Sequence, residues 1–126
     1  MSESYRELIA WQRAKILALE VYRFTRKFPK DEIYGLTSQM RRAAVSVPSN
    51  IAKGKGRYSK KELVQFLYKA RGSLLELETQ LSIAHDLAYI DSQTFETMER
   101  KTEELRRILN GLVTRFQIAT GVFPET

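Results

Sequence analysis

The chain has 126 residues and no cysteine, so disulfides, thiolate metal sites and cysteine nucleophiles are excluded. The length suits one domain over residues 1–126 with a real hydrophobic core. No apolar run approaches the ~18–20 residues needed to cross a bilayer, MSESYREL lacks the basic start and apolar stretch of a signal peptide, and a net charge of +6 with a pI near 9.7 suits either an anionic partner or simple solubility.

Ser4-x-x-Glu7 reads as a capping box opening a first helix over about 5–28. Its seam is Trp11, Ala14, Ala18, Val21, Thr25 and Phe28, at alternating spacings of 3 and 4 that keep one face on a neighbour. Pro29 ends it, and Asp31 is the expected N-cap of a second helix over about 32–52. That helix carries Leu36, Met40, Ala43, Val47 and Ile51 on one face. Pro48 falls inside the pattern. The seam's continuation to Ile51 favours a bent helix over one that stops at Val47, and Ser46, Ser49 and Asn50 are placed to satisfy the carbonyl that proline leaves unpaired.

Gly54-Lys55-Gly56 reads as a loop, and Ser59-x-x-Glu62 as a second capping box opening a third helix over about 60–88. Leu63, Leu67, Ala70, Leu74, Leu77, Leu81, Ala84 and Ala88 form its seam. Val64, Tyr68, Leu75 and Ile83 lie to one side of it. They form either part of one wide buried face or a second face that meets another subunit. Asp91 or Ser92 caps a fourth helix over about 92–119, with a seam of Phe95, Met98, Thr102, Leu105, Leu109, Leu112, Phe116 and Ala119. Gly111 inside it suggests a close helix approach. Gly121 is the expected C-cap glycine, with Pro124 beyond. Four such helices on short loops, with no strand-like alternation, predict an all-α, antiparallel, up-down-up-down four-helix bundle. Trp11 is expected in its core, and Tyr5, Tyr22, Tyr34 and Tyr89 as half-buried packing residues with wet hydroxyls.

Charge is not spread evenly. Residues Tyr34 to Lys61 hold 7 of the 21 basic residues and no Asp or Glu, so the other 98 residues sum to −1. Lys53, Lys55, Arg57, Lys60 and Lys61 are five cations within nine residues, with Tyr58 among them. Cations neutralise phosphates and release counterions, and an aromatic ring stacks on an unpaired base. Lys60 and Lys61 also oppose the dipole of the helix they open. The plain alternative is a solvated basic loop. Arg41 and Arg42 diverge by ~100° on their helix. Arg41 reads as the outer, phosphate-facing residue, whereas Arg42 reads as a partner, across a subunit interface or within the bundle, for glutamates of the third and fourth helices. The candidate nucleic-acid-binding set is therefore Arg41, Arg42, Lys53, Lys55, Arg57, Tyr58, Lys60 and Lys61.

Catalytic readings find little support. His85 is the lone histidine, lies off the seam, and has no Glu three residues before it, so the Glu-x-x-His metal pattern of bundles is absent. Glu76 and Glu78 point to different sides. Glu99 and Glu103 share a face, but Arg100, Arg106 and Arg107 make that an ion-paired surface. Gly54-Lys55-Gly56 lacks the remaining glycine and the preceding strand of a phosphate-binding loop. No catalytic residue, metal or cofactor is expected.

The run LTSQMRRAAVSVPSNIAKGKGRYSKKE resembles the signature of the small bacterial four-helix-bundle proteins encoded by 23S rRNA intervening sequences. Trp11-Gln12, Val21-Tyr22, Phe28-Pro29, Phe66-Leu67, Ala70-Arg71-Gly72-Ser73 and Leu77-Glu78 resemble the family too, so the similarity covers roughly Tyr5 to Ile90. The family usually has Glu between the Ala and Gly of that run; here it is Lys53. The resemblance implies a ring-like homopentamer, and kinship with accessory proteins of diversity-generating retroelements, which work with a reverse transcriptase and its template RNA. Together these give the expectation of a non-enzymatic, cytoplasmic oligomeric scaffold that binds structured nucleic acid, RNA first, through the basic surface. The alternative is a protein-interaction module that docks an acidic partner without nucleic acid.

Overall fold

A computed structural model of the chain describes residues 4–119, the side chains of the last two excepted. The places expected for the Ala119 side chain, Gly121 and Pro124 lie outside the described residues. Four α-helices follow in order: α1 (Ile9–Thr25), α2 (Leu36–Lys55), α3 (Lys60–Asp86) and α4 (Ser92–Ala119). Short 3-10 turns at Tyr5–Glu7 and Lys30–Glu32 precede the first two.

Cross-helix pairs fix the topology. Arg41 reaches Thr25 from α2 to α1, and Ser46 meets Ser73 between α2 and α3. Between α3 and α4, Tyr68 pairs with Gln117, Arg71 with Asn110, and Glu78 with Arg106. Arg13 and Glu20 of α1 pair with Glu104 and Lys101 of α4. In the last two sets, residue numbers rise on one helix as they fall on the other. Consecutive helices pack, and the last returns to the first, giving the antiparallel up-down-up-down bundle.

The heptad-like seams point inward. Ala14, Ala18, Val21 and Phe28 are buried against Met40, Ala43, Val47 and Ile51, and the third and fourth seams join the same core through Leu67, Leu74, Leu77, Leu81, Met98, Leu105 and Leu109. Burial of this kind stabilises by about 25 cal/mol per Å² of apolar area. Val113, Ala10 and Leu17, outside the seams, are buried too, because an interior face is wider than an a/d stripe. On α3, Val64 is buried but Tyr68, Leu75 and Ile83 stand exposed, so the second apolar set is not simply part of the interior.

Several local expectations are corrected. Ser4 caps the Tyr5–Glu7 turn by accepting from the Arg6 N–H at 3.3 Å, and α1 begins only at Ile9, after an extended Leu8. Asp31 does not cap α2. It sits in the Lys30–Glu32 turn, and the Glu32 carboxylate accepts the Leu36 N–H at 3.2 Å instead. Glu32 is held there by the Tyr89 hydroxyl, which donates to its other oxygen at 2.8 Å. That hydrogen bond and the adjacent negative charge raise the Tyr89 phenol above its ordinary value.

α2 runs unbroken through Pro48 to Lys55, three residues beyond its expected end. Asn50 donates to Ser46 O and Oγ, both at 2.9 Å, rather than to the Ala44 carbonyl that lacks proline's N–H. Gly54-Lys55 is thus a last helical turn, not a loop. Ala88, expected in the third seam, is exposed and lies past α3 with φ +63°. The Tyr89 and Ala88 N–H groups donate to the Ala84 and His85 carbonyls, both at 2.9 Å, as a left-handed C-terminal cap requires. Asp91 caps α4, with Oδ1 accepting the Thr94 N–H at 2.7 Å. That bond holds its carboxyl below the ordinary carboxylate value.

Gly111 is exposed with open space beside it, so no close helix approach occurs there. Trp11 is half-buried, edge-on to Tyr5 at 5.2 Å, rather than fully in the core. Tyr34 is 95% exposed, not half-buried.

Candidate nucleic-acid interface

The outer stripe of α2 is Ser38, Arg42, Val45, Ser49 and Lys53, four or three residues apart and so on one face of the helix. With Tyr22 of α1 and Ile33 before α2, it lines an open groove of about 490 Å³ that contains Arg41, Arg42 and Lys53 and no carboxylate. Within one chain the two arginines stand the other way round from the intrabundle reading. Arg41 is the half-buried one: its Nε donates to Thr25 Oγ1 at 3.0 Å, and its guanidinium lies over the Tyr22 ring at 4.8 Å. Thr25 is itself buried and donates to the Val21 carbonyl at 2.6 Å. Arg41 therefore ties α2 to α1. Arg42 is exposed and pairs with none of the glutamates of α3 and α4. Those that form described ion pairs use other cations: Glu78 with Arg106 at 3.2 Å, Glu103 with Arg107 at 2.7 Å, and Glu104 with Arg13.

The chain then turns within four residues. Gly54 is buried where α2 meets α3, because a Cβ there would stand 2.9 Å from Phe66 Cβ and 3.1 Å from Leu63 Cδ1. Gly56 is the C-cap, Arg57 and Tyr58 are exposed, and Ser59 Oγ accepts the Glu62 N–H at 3.0 Å to start α3. Lys60 and Lys61 are exposed in its first turn, and Lys55 is half-buried. Tyr58 extends wholly into solvent.

Besides Arg41, two cations at the turn lie over aromatic rings. The Arg57 guanidinium lies 4.7 Å from the Phe66 centroid and Lys60 Nζ lies 4.8 Å from that of Phe116. Each ring carries a second cation: Lys69 at 4.6 Å on Phe66 and Arg115 at 5.2 Å on Phe116. Arg71 lies 4.7 Å from the Tyr68 ring. Lys69 and Arg71 lie on α3 beyond the basic segment, and Arg115 joins Lys60 only because the antiparallel return of α4 brings Phe116 to α3. The i,i+3 spacing of Phe66–Lys69 and Tyr68–Arg71 was a usable signal.

Among the described residues, ion pairs join Arg13–Glu104, Lys101–Glu20, Arg106–Glu78 and Arg107–Glu103, all between or within α1, α3 and α4. None of the seven basic candidates takes part. Seven cations without a described ion pair raise the surface potential over α2 and the α2–α3 turn.

His85 packs the α3–α4 turn. Its ring stacks on Phe95 at 4.4 Å and 7°, and Nε2 lies 3.2 Å from Ser92 Oγ. Among the described residues no cluster of three His, Asp or Glu side chains could hold a metal, and no helix is long and apolar enough to cross a membrane.

A small antiparallel helical bundle with an unpaired basic face at one connection is the class these features define. A family model described as 23S rRNA-intervening sequence protein matches residues 6–111, and the chain belongs to that family. The match extends past the Tyr5 to Ile90 span of the sequence resemblance, into α4. Its fold is similar to that of a crystal structure from Bacteroides thetaiotaomicron, a protein with unknown function from the S23 ribosomal protein family. The TM-score is 0.77 at 16% identity, over 83% of this chain and 95% of that one. No curated protein matches the chain.

Proposed function

We propose that the protein is a non-enzymatic oligomeric scaffold that binds structured RNA through the basic surface of α2 and the α2–α3 turn. The observation that carries this reading is the missing counter-charge: among the described residues, the seven cations from Arg41 to Lys61 make no ion pair, and Tyr58 stands exposed beside them. Polyanions gain from such a surface by releasing counterions, and an exposed ring adds base stacking. Its resemblance to ring-forming relatives makes a homopentamer the assembly of choice. A ring repeats the patch and turns weak contacts into avidity. The same resemblance makes a reverse transcriptase with its template RNA the partner to look for in a bacterial cytoplasm.

The test replaces Lys55, Arg57, Lys60 and Lys61 with Glu. RNA binding should be abolished while helix content and oligomer size persist. Unchanged binding overturns the reading, as does a wild-type affinity that fails to fall steeply with salt.

One observation favours a second reading, a module that docks an acidic protein. The α2 groove sets Tyr22, Ile33 and Val45 among Arg41, Arg42 and Lys53, a mixture that suits a protein partner with carboxylates around an apolar contact. A protein captured from nuclease-treated native lysate, and absent with an Arg42→Glu, Lys53→Glu variant, would support it.

A further inference from the structure

We infer that Phe66 and Phe116 are pedestals that hold two pairs of cations, Arg57 with Lys69 and Lys60 with Arg115, as a preformed grip for successive phosphates of a nucleic-acid backbone. The inference rests on the RNA-binding reading and extends it to α3 and α4. Both cations of each pair lie within about 5 Å of one ring centroid. The members of a pair are therefore no farther apart than about a Debye length at 0.1 M salt. Like charges held that close repel unless an anion lies between them. Little beside them in sequence supplies one: Glu62 is the single carboxylate from Lys53 to Leu75, and there is none from Leu105 to Gln117. None of the four described ion pairs includes any of these cations.

The rings also shape what is bound. A guanidinium lying on a ring keeps its N–H edge for a second partner, and a cation pinned on a ring has less rotamer freedom left to lose on binding. Because the cations cover the ring faces, little aromatic surface is left for a protein partner to bury. A phosphodiester strand instead brings closely spaced charges to cations already in place. Exposed Tyr58, on the same turn, is free to stack on a base.

Three variants test this in full-length protein, using a labelled RNA hairpin with a single-stranded loop titrated over about 50 to 200 mM salt. Lys69→Gln with Arg115→Gln should weaken binding about tenfold at low salt and flatten the log–log salt slope by about 2, one for each phosphate no longer neutralised. Phe66→Leu keeps every charge, so it should lower affinity a few-fold and leave the slope unchanged; circular dichroism checks that both remain folded. Wild-type affinity and slope in the double glutamine variant, with binding abolished in the four-fold glutamate variant of the turn, overturn the grip and leave the proposed function standing. Wild-type affinity in Phe66→Leu overturns the pedestal role. A wild-type protein that ignores the hairpin but retains a polyglutamate peptide overturns both the grip and the RNA reading.

Discussion

Gly54 lies so close to Phe66 that a Cβ added to the glycine would stand 2.9 Å from the phenylalanine's own Cβ. A Cβ cannot rotate out of the way, and Leu63 closes the other side with its carbonyl oxygen at 3.2 Å and Cδ1 at 3.1 Å. Gly54→Ala should therefore push α2 and α3 apart and destabilise by about 1–3 kcal/mol. Since Phe66 also bears Arg57 and Lys69, the same substitution should disturb the basic turn. Urea unfolding measures the first effect. A variant as stable as the wild type would mean the helices have room to give.

That glycine also marks where sequence reading stopped short. Two glycines flanking a lysine read as a flexible loop, yet Gly54 is there for closeness rather than freedom, and α2 continues through it to Lys55. The seams were legible because burial has a period: Ala14, Val21, Met40, Val47, Leu67, Leu74 and Leu105 are all buried. Caps were legible where a side chain meets its own first turn, as at Ser59 and Asp91. The cap supplied by Glu32 from within a preceding turn was not, since its geometry depends on Tyr89 fifty-seven residues away. The candidate site followed the same division. The charged run was plain in the sequence, but Arg115 shares a ring with Lys60 only once Phe116 of α4 has packed back on α3.

Gly72 and Gly111 interrupt α3 and α4 on exposed faces, with nothing within 4 Å of an added Cβ. Each costs helix stability without a packing gain in the isolated chain. Ala at either position should stabilise by about 1 kcal/mol, read as a raised urea midpoint at unchanged m-value. Gel filtration gives the companion measurement. If the stabilised variants change oligomer size, these glycines admit a neighbouring subunit.

Ala88 occupies the left-handed position of the cap that ends α3, at φ +63°. An L-residue there costs roughly 1–2 kcal/mol, part of which glycine loses again through the entropy of the unfolded chain. Ala88→Gly should therefore stabilise by about 0.5–1 kcal/mol. Ala88→Val should destabilise, because β-branching makes the same backbone harder to hold. Thermal melts of the two variants should move in opposite directions.

Asp91 adds a pH dependence of known sign. The Thr94 N–H lowers the folded-state pKa, with Lys27 a lesser influence in the same direction. A lowered pKa means the folded state holds the proton less tightly than the unfolded state. The contribution is complete above the ordinary carboxylate range and fades as pH falls through the folded value. Asp91→Asn keeps a good N-cap but removes the titration. Its stability should match the wild type more closely in acid than at neutral pH. A difference that is the same at both pH values would show that Asp91 contributes no linkage.

The adjacent arginines of α2 should separate cleanly by what each substitution costs. Arg41 spans to α1 through the Thr25 hydroxyl and the Tyr22 ring. Arg41→Ala removes one hydrogen bond and one cation–π interaction, about 1–2 kcal/mol together. Arg41→Lys should recover only part of that, because an ammonium lacks the planar face and the Nε–H that make these two interactions. Arg42 is exposed and unpaired among the described residues, so Arg42→Ala should change stability by less than about 0.5 kcal/mol. On RNA the order reverses: Arg42→Ala should weaken binding and reduce the salt slope by about 1. At conditions where both variants are fully folded, Arg41→Ala should bind closer to wild type. Equal losses of RNA affinity from the two would mean that Arg41 leaves Thr25 to meet phosphate, and its stability cost would then grow in the presence of saturating RNA.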